Sequence, residues 1–377
     1  MTAAYLHIPF CDHICFYCDF NKVFLEGQPV DEYVDATIQE MALMKEKYPE
    51  KEVSTFYIGG GTPTTLNEKQ LDRLFTGIQT YYPMDSGVEF TVEANPESAS
   101  FEKFKVMREH GVNRISMGVQ SFNNDILKKI GRIHTSEQVY KCVDDAHKAG
   151  FENISIDLIF RLPNQTYADF EDSLKKALEL DLPHYSIYSL ILENKTIFYN
   201  LMRQGKLPLP SEDEEADMYE LAIQTMEAAG RKQYEISNYS KPGFESQHNL
   251  TYWNNDSYFG FGAGSHGYID GSRYINHGPI QHYLAPLKKK ESPIIYRNTL
   301  TTREKIEEEM ILGMRRMKGV QRSDFKQKYN LEIEDLYGDV LETLLKENLI
   351  EIQDDHIRLT HQGTFLGNEV FRSFLLD

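Results

Sequence analysis

The first two-thirds of the chain alternates between short β-rich runs and stretches of helical period. The runs are AYLHIPF (4–10), STFYIGG (54–60), VEFTVEANP (88–96), RISMGVQSF (114–122), ISIDLIF (154–160) and HYSIYSLIL (184–192). Between them, apolar residues recur at helical spacing over 31–48, 67–80, 101–110, 136–149 and 167–180. Strands that take turns with helices imply βαβ units and a parallel sheet. Six such units suffice for an open sheet or a partial (β/α)6 TIM-like barrel. A further helix is expected over 211–229, where Ser211 is placed to cap it. The acids of SEDEEAD suit the positive end of that helix's dipole and read as a solvated helix start.

Past residue 240 the pattern changes. Residues 241–282 are rich in Gly, Asn and aromatics and read as an irregular functional loop. Helical periodicity resumes near residue 300 and ends in NLIEIQDDHIRLTHQG, a hairpin with Asp354 and Asp355 at its turn. Helices followed by a two-stranded wing predict a winged-helix-like domain. The expected organisation is therefore 1–240 as a strand–helix domain, 241–300 as a connecting segment and 301–377 as the C-terminal domain. Residues 300–377 hold 11 Lys/Arg against 16 Asp/Glu, so a structural or lid role fits better than DNA binding.

Composition narrows the function. The 377 residues carry 58 acids against 40 bases, a net charge of −18, which argues against a nucleic-acid binder. No apolar run approaches the roughly 18 residues that span a bilayer, and MTAAYLHIPF lacks the charged and apolar regions of a signal peptide. No integral membrane segment is expected, and the cytoplasm is the default location. Three of the four cysteines fall in CDHICFYC (11–18), a pattern that suits a reducing compartment and a metal.

Ligands of parallel α/β proteins bind at the carboxyl ends of the strands, and the candidate residues gather there. The cysteine loop follows the first strand, and GGGTP (59–63) ends the second. Glu93 and Gln120 lie near the ends of the third and fourth, and Asp157 lies within the fifth. Alone, GGGTP reads as a tight turn that exposes amides; it lacks the Lys of a P-loop and the spacing of a dinucleotide fingerprint. Three thiolates are one short of both a tetrahedral zinc site and a complete iron–sulfur cube. His13 could complete a Cys3His zinc set, whereas Cys142, on an expected helix, reads as a packed side chain.

YLHIPFCDHICFYC followed by GGGTP resembles the radical S-adenosylmethionine (radical SAM) superfamily, whose mark is CxxxCxxC. The resemblance implies that Cys11, Cys15 and Cys18 hold three irons of a [4Fe–4S] cluster. The fourth iron is left open for the amino and carboxylate groups of SAM. A reduced cluster of this family cleaves SAM to methionine and a 5′-deoxyadenosyl radical. VEANPE, RISMGVQSF, IGRIHT and IDLIFRLPNQT extend the resemblance to the branch that contains oxygen-independent coproporphyrinogen III dehydrogenase. By that resemblance Tyr5 lies by the SAM methionine moiety and Tyr17 against the adenine. The turn of Gly59, Gly60, Gly61 and Thr62 meets the methionyl amino group. Glu93, Gln120, Arg132 and Asp157 complete the pocket through polar contacts.

Two departures matter. Arg161 and Asn164 stand in RLPN where the branch usually has glycines, which bears on the local turn and not on the cluster. The dehydrogenases carry a further cysteine just beyond the third and an N-terminal extension. Here Asp19 and Phe20 follow Cys18, and CDFN resembles the haem chaperone HemW group. HNLTYW (248–253), with the chain's only tryptophan, is similar to the HNxxYW signature that this group associates with haem binding. Under that resemblance His248 contacts haem iron, while Tyr252 and Trp253 offer flat faces to a porphyrin. His266, in GFGAGSHGY, is a second candidate whose glycines also suit a hinge or a turn. The expected function is a haem chaperone that binds haem as cargo and transfers it to an acceptor protein, with the cluster and SAM regulating or driving the step. The alternative is oxidative decarboxylation of coproporphyrinogen III. The acceptor's identity and the oligomeric state stay open.

Overall fold

The computed structural model describes residues 2–85 and 87–376; Met1 and Asp377, the outer bounds of the expected domains, and Ser86 lie outside the described residues. Six strands appear where the β-rich runs predict them: β1 (Thr2–Ile8), β2 (Thr55–Gly60), β3 (Glu89–Ala94), β4 (Arg114–Gln120), β5 (Asn153–Phe160) and β6 (His184–Ser189). They pair side by side in chain order, all parallel. Helices α1 (Val30–Lys47), α2 (Glu68–Tyr81), α3 (Phe101–Glu109), α4 (Asn124–Lys129), α5 (Ser136–Lys148) and α6 (Tyr167–Glu179) make the crossovers. Both faces of such strands are covered, which is why they read as near-continuous apolar runs. In β1, for example, Ala3, Ala4, Leu6 and Ile8 are all fully buried.

Capping fixes where the helices begin. Asn67 and Thr166 form capping boxes with Gln70 and Asp169 at the starts of α2 and α6. Beyond β6 come α7 (Ile197–Arg203) and α8 (Glu212–Ala228). Ser211 caps α8 as expected, accepting from the backbone N–H of Glu214 at 3.2 Å.

The sheet is larger than the six expected strands. β7 (Lys232–Glu235) and β8 (Asn238–Ser240) extend it antiparallel beyond β6. The reading of 241–282 as irregular is wrong. After α9 (Gln247–Trp253), strand β9 (Ser257–Phe261) lies parallel to β1 on the side opposite β2. Strands β10 (His266–Ile269), β11 (Ser272–Asn276) and β12 (Ile294–Thr299) then continue the sheet antiparallel, with α10 (Ile280–Leu287) between the last two. The result is an open twelve-stranded sheet in the order β12-β11-β10-β9-β1-β2-β3-β4-β5-β6-β8-β7. The partial barrel is its parallel centre.

The last part of the chain packs around its own core, which includes Ile306, Met310, Phe325, Leu341 and Phe371. It comprises α11 (Thr302–Gly313), β13 (Val320–Gln321), α12 (Arg322–Tyr329), α13 (Ile333–Lys346), β14 (Ile350–Gln353) and β15 (His356–Leu359), then α14 (His361–Phe365) and α15 (Gly367–Ser373). β14 and β15 form the wing, with Asp354 at its turn at a φ of 53°. Among the described residues no helix is long and apolar enough to cross a membrane.

Arg161 and Asn164 show what their departure from glycine costs. Both adopt the left-handed backbone that glycine would take, at φ 61° and 60°. Each non-glycine residue there stores about 1 kcal/mol, least for Asn. The Arg161 Nε to Glu215 ion pair at 3.0 Å offsets part of it, and the turn is kept.

Candidate functional site

β1 leads into a two-residue ladder, Phe10–Cys11 against Val23–Phe24, and the loop between them carries the other two cysteines. Backbone bonds from Val23 N to Pro9 O (2.8 Å) and Leu25 N to Cys11 O (2.9 Å) close this loop. The Asn21 amide then ties it to the far side of the sheet, donating to Ala263 O at 2.8 Å and Gly278 O at 2.9 Å. All three thiols line a cavity of about 280 Å³ among the parallel strand ends.

Donors surround the sulfurs. Thr62 Oγ1 lies 3.7 Å from Cys11 Sγ and Arg132 Nη1 lies 3.6 Å from Cys15 Sγ, while Lys22 donates to the carbonyl of Cys18. Burial pushes the Cys11 thiol up to about 11, against the Thr62 hydrogen bond. It raises Cys18 as well, against the charge of Lys22. Metal binding at these thiols therefore releases protons.

The glycine turn owes its composition to close approach. A Cβ on Gly60, at φ +114°, would lie 2.4 Å from the His7 ring, and one on Gly61 would lie 2.8 Å from Phe10 O. Gly59 backs directly onto the Glu93 carboxyl. Glu93 accepts from Tyr57 Oη at 2.8 Å and Gly60 N at 3.1 Å; burial pushes it up to about 7 despite the Tyr57 bond. Asp157 is raised by burial too, opposed by the Ser186 hydroxyl and Arg114. Gln120 ends β4 at φ 68°, where the strand slips register against β5. Among the described non-glycine residues with positive φ, Gln120 is the one that lines this cavity.

Eleven of the expected residues line this cavity. They are Cys11, Cys15, Cys18, Tyr17, Gly60 and Gly61, with Thr62, Glu93, Gln120, Arg132 and Asp157. Sequence reading missed Asn95, which bridges them: its amide donates to Thr62 Oγ1 at 3.0 Å, and Arg132 Nη2 donates to its Oδ1 at 2.9 Å. A continuous chain thus runs Cys11–Thr62–Asn95–Arg132–Cys15. The signal was its place two residues after Glu93. Arg114 and Arg132, both in the wall, keep a buried Nε with no partner among the described residues. Three thiols under donors, buried carboxylates and orphaned guanidinium donors fit a [4Fe–4S] cluster with SAM beside it. His13, the fourth residue of the Cys3His alternative, lines the same cavity from an exposed position.

A second cavity, of about 460 Å³, shares Phe20, Tyr57, Gly60, Glu93 and Asn249 with the first. Tyr5 belongs here, with its hydroxyl 3.0 Å from His7 Nδ1, and not with the thiols. His248 sits on α9 and not in a loop, 1% exposed. Its Nδ1 pairs with Thr55 Oγ1 at 2.9 Å, its Nε2 with Tyr252 Oη at 3.0 Å, and its ring stacks on Tyr57. Both nitrogens are hydrogen-bonded, and the ring lines the second cavity. Trp253 lies outside the cavity lining; the Arg315 guanidinium lies over its ring at 4.6 Å.

Behind the second cavity, Glu40 is 1% exposed and accepts from Gly262 N (2.8 Å), Asn276 Nδ2 (2.6 Å) and Tyr283 Oη (2.6 Å). Burial still pushes it from 4.5 to about 7. A carboxyl raised in the fold binds more protons folded than unfolded, so its stabilisation is full below pH 4.5 and is lost as pH rises through about 7. Glu93 acts with the same sign. The slope is on the order of 1 kcal/mol per pH unit per group. Melting of the cluster-free chain is expected to fall between pH 5 and pH 8, and Glu40→Gln to flatten the fall. An unchanged slope in that variant would remove Glu40 from the account.

The parallel strands, the cysteine loop and the glycine turn define a radical SAM protein. A family model described as Radical SAM superfamily matches residues 5–177, and one described as HemN C-terminal domain matches residues 300–366. The chain is 52% identical to the haem chaperone HemW of Bacillus subtilis, over 100% of this chain and 99% of that one. It is 49% identical to the HemW of Lactococcus lactis, over 100% and 98%. The chain belongs to the HemW family of haem chaperones. Its fold is shared with coproporphyrinogen III oxidase (HemN) from Escherichia coli, at a TM-score of 0.86 and 24% identity over 99% of this chain and 90% of that one.

Proposed function

We propose that the chain is a cytoplasmic haem chaperone that takes haem as cargo into the second cavity and passes it to an acceptor protein. The observation that carries this reading is the shared wall: an aromatic-lined cavity abuts the thiol-lined one through Tyr57, Gly60 and Glu93. At about 460 Å³ it falls in the roughly 300–1,000 Å³ range of small-molecule sites. Phe20, at the place of the dehydrogenases' further cysteine, lines both cavities and is 60% exposed.

In the first cavity Cys11, Cys15 and Cys18 would hold the cluster, and Gly60, Gly61, Thr62, Glu93, Gln120, Arg132 and Asp157 would supply the polar contacts to SAM. Tyr17 would offer its ring, and Gly59 keeps Glu93 in place. When bound, the cluster supplies single-electron chemistry at its open iron. Arg132 and Thr62 orient the thiols, and the buried carboxylates offer negative charge to a cationic ligand.

The test is a haemin titration of the cluster-reconstituted chain followed at the Soret band. Saturation near one haem per chain is expected. Binding that never saturates would sink the reading, and turnover of coproporphyrinogen III would then be the activity to assay.

A further inference from the structure

The chain Cys11–Thr62–Asn95–Arg132–Cys15 has a direction as well as a length. An arginine can only donate, so the Arg132 Nη2 contact at 2.9 Å fixes the facing Asn95 atom as its oxygen, Oδ1. The Asn95 amide nitrogen is thereby turned to Thr62 and donates to Oγ1 at 3.0 Å. That bond uses Thr62 as an acceptor. Its hydroxyl proton then has one acceptor among the described residues, Cys11 Sγ at 3.7 Å. At the other end Arg132 Nη1 donates to Cys15 Sγ at 3.6 Å. One amide therefore orders two donors, each aimed at a different sulfur.

The amide is itself held in place. The Asn95 backbone N–H donates to Thr64 Oγ1 at 3.2 Å, and Thr64 Oγ1 pairs with Ser98 Oγ at 2.7 Å. Lys103 Nζ donates to the carbonyls of Thr64 (2.6 Å) and Ser98 (2.8 Å), which ties the ends of β2 and β3 together. Residue 118 is glycine where the amide passes. A Cβ there would lie 2.9 Å from Asn95 Oδ1 and 3.3 Å from Arg132 Nη2. Thr62 and Arg132 are both buried, so water competes little for either donor.

Hydrogen bonds to the sulfurs of an iron–sulfur cluster stabilise its more negative, reduced state and so raise its reduction potential. They count for more in a buried setting than in water.

We propose that Asn95 is a positioning residue that sets the reduction potential of the cluster, by ordering the Thr62 hydroxyl toward Cys11 and the Arg132 guanidinium toward Cys15. This inference rests on the cluster reading of the first cavity. An aspartate of the same shape would reverse the order. Its carboxylate accepts from Arg132 as before, but it also accepts at the other end and draws the Thr62 proton away from Cys11.

The experiment is a redox titration of the anaerobically reconstituted chain without SAM, followed by electron paramagnetic resonance, with iron analysis confirming the cluster. Asn95→Asp is expected to raise the oxidised-to-reduced ratio at a fixed potential at least tenfold, a fall of about 59 mV for one electron. Thr62→Val, which keeps the shape and removes the proton, is expected to raise it at least threefold. Added negative charge alone would also lower the potential, so the double variant decides. Asn95→Asp is expected to have a smaller effect in the Thr62→Val background, and an undiminished effect there overturns the inference. So does an unchanged potential in either single variant. Should Asn95→Asp not retain iron, the neutral Asn95→Leu takes its place in the same cycle, with the same two overturning results. A wild type that takes up no iron overturns the cluster reading itself, and the inference with it.

Discussion

Replacing Cys11, Cys15 or Cys18 with alanine is expected to abolish cluster retention, iron falling from about four per chain to near zero after anaerobic reconstitution. Each thiol contributes one of three protein ligands, and two thiolates leave a second iron without an anchor. Cys142→Ala is the control. Its thiol is 4% exposed on α5 and pushed up to about 12 by burial, so it is neither accessible nor ionised, and iron content should not change. Iron analysis with the visible spectrum reads both. A single-cysteine variant of the loop that keeps its full complement of iron would refute the assignment.

Trp253→Ala is expected to cost about 2–4 kcal/mol and to uncouple the C-terminal domain. The Trp253 ring carries the Arg315 guanidinium, which also lies over Phe371 at 5.5 Å. Arg316 donates to Asn254 next door. Backbone bonds from Ile236 N to Arg315 O (3.2 Å) and Met317 N to Tyr234 O (3.0 Å) complete the seam. The last residue of the HNLTYW stretch therefore clamps the winged domain onto the sheet. Calorimetry should show one transition in the wild type splitting into two in the variant, with Trp253→Phe intermediate. A Trp253→Ala chain that melts as the wild type does would show that the seam holds without the ring.

The parallel centre of the fold was legible because a strand buried on both faces writes itself as an apolar run, as ISIDLIF does. The mouth was legible because Glu93 and Gln120 interrupt such runs near their carboxyl ends and Asp157 interrupts one within. The segment 241–300 was not. Its strands β9 to β11 are only four or five residues long, glycines interrupt β9 and β10, and the alternation in β11 is too short to stand out. What makes β9 a strand is its parallel pairing with β1, a partner some 250 residues away. The surroundings of His248 were hidden for a related reason: its partners Thr55 and Tyr252 come beside it only once α9 packs on the sheet. Asn95 stands in VEANPE, two residues after Glu93, yet its bridging role exists only once the ends of β2 and β3 and the residues after β4 are neighbours.

The pairing of β1 has a temporal consequence. β1 is made first, yet it sits between β2 and β9, and one of its edges has no partner until residues 257–261 exist. On a ribosome that edge emerges bare and stays bare while most of the chain is synthesised, an invitation to mispairing that folding must outlast. The cysteine loop waits as long. Its Asn21 anchor meets the carbonyls of Ala263 and Gly278 only once those residues have been made. The loop that carries the three cysteines is thus fixed only after residues 263 and 278 are in place.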